Sequence, residues 1–288
     1  VRVARIRAGG EEAYGIVSRG RVFTMGEIRS ATGIPVPPSV TEFLFGGWAA
    51  EVSRHAGELG GGLALAECEL LPPIPSPPKI LCAAFNYGSH ARGRDTASSP
   101  ARPVVVMKPA TALAGAGSDI VCPSFVRELD YETELAVVIG RRTRRASRAE
   151  AASSIFGYMV MNDVSARDVQ FGDGQFTRAK GFDTFAPCGP WITTREEAGA
   201  AGAMRITTRV NGEARQDALA GEMTLPPEAL VSELSRSMTL EPGDVISTGT
   251  PGGTALDLEG RPYLRDGDVV ESSVSGLGTL RNRVRFAA

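Results

Sequence analysis

Glu128 Leu129 Asp130 Tyr131 Glu132 Thr133 Glu134 Leu135, running on into Ala136 Val137 Val138 Ile139 Gly140, is the stretch around which the rest of the chain is read. The apolar, β-branched run at its end predicts a strand, in which residues two apart share a face. Glu128, Asp130, Glu132 and Glu134 would then line up at about 6 to 7 Å intervals. Carboxylates so placed repel one another, more strongly as water is removed. Either the face is a solvated edge, where charge also guards against aggregation, or something positive sits among the carboxylates.

Working outward, short apolar runs broken by glycine and proline recur at 80–85, 103–107, 135–139, 158–161, 204–210, 245–248, 269–274 and 279–286. Strands at this spacing predict an α+β, mainly β fold, a sheet-rich roll, sandwich or barrel. Helices are predicted at 147–154 and at 227–237, the latter with Leu230, Val231 and Leu234 as its apolar stripe. The Arg141 to Arg145 cluster reads as a solvated loop. Upstream, strands are predicted at 1–6, 13–17 and 21–23, and a helix at 41–58 ended by Gly60 Gly61 Gly62, with His55 as a surface or packing residue. Leu71 Pro72 Pro73 Ile74 Pro75 Ser76 Pro77 Pro78 holds five prolines in eight residues and must be extended and stiff. It is read as the boundary between a small N-terminal domain, 1–72, and a larger one, 73–288.

Composition narrows the function. The 288 residues are 42% hydrophobic with a net charge of −2, so no basic excess recommends a nucleic-acid or anionic-membrane partner. Cys68, Cys82, Cys122 and Cys188 are scattered without a CxxC and read as reduced. No apolar run approaches the roughly 18 residues of a membrane span, and the first residues lack a signal-peptide core. A cytoplasmic protein acting on small molecules is expected.

Several clusters carry chemistry. Asn86 Tyr87 Gly88 Ser89 His90 follows an apolar run and precedes a polar stretch, 91–102, suited to a mobile cover. His90 there reads either as a general base near neutral pH or as a hydrogen-bonded structural histidine. Asn162 Asp163 Val164 Ser165 Ala166 Arg167 Asp168 Val169 Gln170 follows another short strand. Glu132, Glu134 and one of its aspartates could give three oxygen ligands to Mg²⁺ or Mn²⁺, with positions left open for a Lewis-acid role. Asp163, next to the strand, is favoured over Asp168, which could pair with Arg167. Finally, residues 239–253, ending Ser247 Thr248 Gly249 Thr250 Pro251 Gly252 Gly253, present hydroxyls and amides that can hold a carboxylate or phosphate, without the lysine of a phosphate loop.

Taken in order, these clusters resemble the fumarylacetoacetate hydrolase family in its bacterial two-domain form. The segments that carry the resemblance are Pro78 Lys79 Ile80 with Asn86 Tyr87 and His90, Met107 Lys108 Pro109, Asp130 to Leu135, Gly157 Tyr158 with Asn162 to Asp168, Lys180 Gly181 Phe182 Asp183 Thr184 Phe185 with Gly189 Pro190, Val210 Asn211 Gly212 Glu213, Leu240 Glu241 Pro242 Gly243 Asp244 with Thr248 to Pro251, and Gly276 to Leu280. The resemblance implies a mixed β-sandwich roll, a homodimer, and a divalent metal, Mg²⁺ or Mn²⁺, used on acylpyruvates and related 2-oxo or enol carboxylic acids. It implies Glu132, Glu134 and Asp163 as metal ligands and His90 as a base on a lid. Lys180 and Gln170 would act on substrate oxygen, and Arg167, Thr250 and Tyr87 would bind substrate.

The chain departs from the pattern in one place. Many bacterial members carry a glutamate three residues after the histidine, and here that position is Gly93. Without a carboxylate partner His90 would be a weaker base, unless Asp95 substitutes. Three functions are therefore carried forward: a hydrolase cleaving a C–C bond of an acylpyruvate-type acid, a decarboxylase or isomerase (of the oxaloacetate decarboxylase or 2-hydroxyhepta-2,4-diene-1,7-dioate isomerase type), and a non-catalytic 2-oxo acid binding module.

Overall fold

In the computed structural model, which describes residues 1–55, 59–91 and 102–287, every residue of the strand Thr133–Ile139 is buried. Both of its faces are covered. Leu135, Val137 and Ile139 share a core with Ile206, Val274 and Leu280, whereas Ala136 and Val138 point the other way, into a core with Phe43, Val52 and Met159. This two-residue alternation is what a strand inside a layered fold requires. Thr133–Ile139 pairs antiparallel with Ile155–Asn162 and with Val245–Ser247. Beyond Val245–Ser247, Ile80–Ala84 adds in parallel and Val104–Lys108 closes that edge. The second sheet runs Glu213–Leu219, Arg205–Val210, Val269–Val274, Gly278–Phe286, Ile120–Cys122 and packs on the first. The fold is mainly β, with open mixed sheets.

The opening stretch is not one strand. Leu129–Asp130 pairs with Ser165–Ala166 in a small ribbon of its own, and the main strand starts at Thr133. The four carboxylates therefore do not form the expected ladder: Glu128 stays half-buried, while Asp130 is fully buried and turned to Arg167.

The N-terminal strands Arg2–Ala8, Glu11–Ser18 and Arg21–Thr24 form where expected, but they extend the main sheet through Ala186–Thr194, with Val3 opposite Ile192. The proposed division at residue 72 thus separates segments whose strands share one sheet. The helix expected at 41–58 is two, Val40–Phe45 and Trp48–His55, parted by Gly47 at φ +70°, a conformation natural to glycine. Residues 56–58 of that expectation lie outside the described residues. The helix Met25–Thr32 was not expected, although Thr24 and Glu27 form a capping box and Gly33 ends it at φ +72°. Also unexpected are the short helices Arg167–Asp173 and Thr177–Lys180, which carry expected site residues. Among the described residues no helix is long and apolar enough to cross a membrane.

Candidate active site

Strand pairing assembles the acidic cluster. Thr133 lies opposite Asn162 in the antiparallel pair, so Glu132 and Asp163, each one step beyond, meet at its end, where Asp163 N donates to Glu132 O at 2.8 Å. Glu132, Glu134 and Asp163, all buried, can each offer an oxygen such that the three lie within 4.8 Å of one another. An all-oxygen set at that spacing fits a small hard cation.

Among the described residues, three buried cations face this cluster. Lys180 Nζ donates to Glu132 Oε2, Asp163 Oδ2 and Ser165 Oγ, each at 2.8 Å. Lys108 Nζ pairs with Asp163 Oδ1 at 2.7 Å and donates to the carbonyls of Val164 and Phe185. Arg167 spans Asp130 and Glu132, with Nη2 at 2.8 Å and 2.5 Å from their oxygens. With Glu134 ionised, Asp130, Glu132, Glu134 and Asp163 outnumber Lys108, Arg167 and Lys180 by one charge; with Glu134 protonated the two sets balance. The positive partner expected for the stretch is thus built from the protein, and one further positive charge is matched once Glu134 ionises.

The two glutamates differ in state. Burial alone would push the Glu132 carboxyl up, but Lys180 and Arg167, joined by His90 when its imidazole is protonated, hold it below its usual range. Glu134 is pushed well above its usual range, first by burial and then by Asp163 and Glu132, although Ser247 Oγ (2.5 Å) and Gly249 N (2.7 Å) donate to it. Gly249 must be glycine: its φ is +95°, and a Cβ there would lie 2.9 Å from Asn86 Cβ and 3.0 Å from Ala83 O. Because a ligating carboxylate must be deprotonated, cation uptake is expected to release a proton from Glu134, with apparent affinity rising with pH. Calorimetric titration of Mn²⁺ in buffers of different ionisation enthalpy measures this. An apparent enthalpy independent of buffer would contradict it.

His90 lies in the last turn of the short helix Gly88–Ala91. The chain reaches it through Phe85, whose φ of +59° is strained for a non-glycine residue, as is common beside functional sites. His90 Nδ1 lies 2.8 Å from Asp257 Oδ2, and Nε2 lies 3.7 Å from Glu132 Oε1. The carboxylate absent at Gly93 is thus supplied from elsewhere in the chain. Gly93 and Asp95 themselves lie outside the described residues. Asp257 is itself anchored, accepting from Gly253 N (3.2 Å), Thr254 N (3.3 Å) and Thr254 Oγ1 (2.9 Å). Sequence reasoning missed it. The Thr254-x-x-Asp257 capping pattern was there to be read, but it gives the local anchor and not the distant histidine.

A cleft brings together His90, Glu132, Glu134, Asp163, Arg167, Gln170, Lys180 and Thr250. Its other wall is apolar, with Cys82, Ala83, Val106 and an edge-on pair, Phe85 and Phe176, at 6.5 Å. Arg167 is spent on protein partners, and its Nη1 donates to Gln170 Oε1 at 3.0 Å. An arginine can only donate, so the oxygen end of Gln170 is fixed and its NH₂ is the end left to donate to a ligand. Tyr87, the remaining expected substrate contact, is placed elsewhere: it is fully buried behind the cleft with Leu135, Val137 and Ile246 and is not among the lining residues.

A family model described as fumarylacetoacetate (FAA) hydrolase C-terminal matches residues 79–285. The chain belongs to the fumarylacetoacetate hydrolase family. The oxaloacetate tautomerase YisK of Bacillus subtilis is 38% identical over 231 residues, covering 79% of this chain and 77% of its own length. A fumarylacetoacetate hydrolase from psychrophilic Exiguobacterium antarcticum superposes with a TM-score of 0.86 at 32% identity, over 99% of each chain. The maleylpyruvate hydrolase of Sphingobium sp. SYK-6, in complex with manganese (II) ion and pyruvate, gives 0.81 at 28% identity over 100% of each. Fumarylacetoacetate hydrolase family proteins thus include tautomerases and hydrolases on one scaffold, and the acidic cluster of this member is a possible metal site.

Proposed function

We propose that this chain catalyses metal-assisted proton transfer at the carbon next to the 2-oxo group of a small 2-oxo acid, with keto–enol tautomerisation of oxaloacetate as the reaction to test first. The observation that carries this reading is the His90–Asp257 pair opening on the same cleft as Glu132, Glu134 and Asp163. Those three carboxylates would hold Mg²⁺ or Mn²⁺. When bound, such a cation supplies the positive charge that makes a proton next to a 2-oxo group acidic.

The chain's own groups do the rest. Asp257 accepts from His90 Nδ1–H, which leaves the lone pair of Nε2 facing the cleft as the base. Charge on Asp257 also stabilises the imidazolium formed when that base takes a proton. The Gln170 NH₂ is the donor for an oxygen gaining negative charge, and Lys180, whose three hydrogens go to Glu132, Asp163 and Ser165, contributes its positive charge beside it. The turn bearing Thr250 seats the substrate carboxylate. Likeness to the YisK tautomerase supports proton transfer as the chemistry.

The expected result is that protein with Mn²⁺ or Mg²⁺ accelerates ketonisation of enol-oxaloacetate, and deuterium incorporation at C3 in D₂O, beyond metal alone. No acceleration with either metal would end the proposal. C–C hydrolysis of an acylpyruvate is the second reading, favoured because the same His–Asp pair could activate water and because a maleylpyruvate hydrolase shares the fold. Turnover in ¹⁸O-water separates the two, since only hydrolysis labels the acid product.

A further inference from the structure

Asp130 is a fully buried carboxylate of the acidic stretch to which the proposed chemistry gives no part, and it joins two sections of the site. Its Oδ2 accepts from Arg167 Nε at 2.9 Å and from Leu256 N at 3.2 Å. Its Oδ1 accepts from Ala255 N at 2.8 Å and from Tyr131 N at 2.9 Å. One side of Asp130 thus holds the arginine that engages Glu132 and Gln170, and the other seats the turn Ala255–Asp257. Tyr131, next along, donates from its hydroxyl to Gly253 O, just ahead of that turn, at 3.1 Å. The contacts from Gly253 and Thr254 fix Asp257 only relative to its own turn. What sets Asp257 against His90 is where the turn sits, and Asp130 and Tyr131 seat it on the two residues immediately before Glu132. Gly252 N also donates to Ser89 Oγ, beside His90, at 3.1 Å, but at an exposed edge where water competes.

We infer that Asp130 is a positioning residue for the base. By seating the turn it keeps Asp257 at His90 Nδ1, which decides the tautomer and leaves the Nε2 lone pair toward the acidic cluster. The inference rests on the reading of His90 as the base. Asp130 is not among the residues lining the cleft, and it touches no substrate in this account. The four groups that donate to it are all N–H groups that cannot accept, so a carboxylate, with an acceptor at each end, satisfies both sides at once. An asparagine offers one oxygen. That oxygen should stay with Arg167, whose charge strengthens the bond, and the NH₂ would then face Ala255 N and unseat the turn.

The test is the tautomer of His90, read from the ¹⁵N shifts of its ring nitrogens. The sample is ¹⁵N-histidine-labelled protein with Mg²⁺, a diamagnetic ion, at about pH 9, above the ordinary histidine range. The chain has two histidines, and His90→Ala assigns the signals. The wild type is expected to carry the proton on Nδ1. Asp257→Ala should shift the ratio of Nδ1–H to Nε2–H about tenfold or more toward Nε2–H, the form a free imidazole favours, as for loss of one hydrogen bond to a charged group. Asp130→Asn should shift it the same way by about threefold or more, with His90 and Asp257 both in place, as for a weakened hydrogen bond. It should add nothing once Asp257 is alanine. A folded Asp130→Asn protein with the wild-type ratio and only a lower Tm would overturn the inference in favour of a structural role. If the asparagine variant does not fold, Tyr131→Phe carries the test, since it removes only the hydroxyl that donates to Gly253 O. A shift in the same direction supports the inference, and the wild-type ratio overturns it. A wild type with its proton on Nε2 would overturn both this inference and the reading of Nε2 as the base. The expected shifts in a protein that turns over no 2-oxo acid would overturn the proposed function alone.

Discussion

Glu132→Gln is expected to lower Mn²⁺ affinity by about 10²-fold or more and kcat/KM by about 10³-fold, equivalent to about 4 kcal/mol of transition-state stabilisation. The substitution keeps the shape of the side chain and removes its charge. Glu132 is one of three converging carboxylates, and it also accepts from Lys180 Nζ (2.8 Å) and Arg167 Nη2 (2.5 Å). Losing the charge therefore removes a ligand and at the same time tips the buried cluster toward positive charge, which opposes cation binding a second time. Breaking a buried ion pair commonly costs about 3–5 kcal/mol of stability. The loss here should fall toward the lower end, because Lys180 keeps Asp163 and Arg167 keeps Asp130. Glu128→Gln is the control, since the structure leaves Glu128 half-buried and outside the acidic cluster. Mn²⁺ titration, steady-state rates and thermal melts check these outcomes. A Glu132→Gln protein with wild-type turnover would remove the metal centre from the proposed chemistry.

Much of this site was legible in the sequence, for a physical reason. Glu132 and Glu134 stand two apart at the head of an apolar run, and Asp163 stands just after another, so antiparallel pairing of those runs brings them together without any long-range knowledge. Runs long enough to be strands, and the helix Pro227–Ser237 with its apolar stripe, read correctly because burial imposes their period. What failed was of two kinds. The short helices Arg167–Asp173 and Thr177–Lys180 are too brief to show a period, although Gln170 and Lys180 depend on them. The partners of the functional groups are separated by far more sequence than any local pattern spans: Asp257 lies 167 residues from His90, and Ala255 lies 125 from Asp130. The stacked-carboxylate reading went wrong at Tyr131 and Glu132 for a related reason. Arg167 lies against both Asp130 and Glu132, and the chain leaves one ribbon for the main sheet between them.

Substitutions of the histidine pair should separate two contributions of Asp257 to His90. His90→Ala is expected to lower kcat by about 10²- to 10⁴-fold, the usual worth of a general base, with Mn²⁺ affinity little changed because His90 is not one of the converging ligands. Asp257→Ala removes both the charge that stabilises an imidazolium and the acceptor that fixes the tautomer, and a loss of about 10²-fold is expected. Asp257→Asn should do less harm. Gly253 N, Thr254 N and Thr254 Oγ1 all donate toward the present Oδ2 position, so they select the oxygen of an asparagine there and turn its NH₂ away. The imidazole then still meets an acceptor at Nδ1 and keeps Nε2 free, and only the charge is lost, giving a deficit nearer tenfold. The ordering His90→Ala, Asp257→Ala, Asp257→Asn in severity, with KM moving little, is what a positioned base predicts. Were asparagine as damaging as alanine, the tautomer argument would fall and the charge alone would remain. Were Asp257→Ala as active as wild type, His90 would have to find its carboxylate elsewhere or work without one.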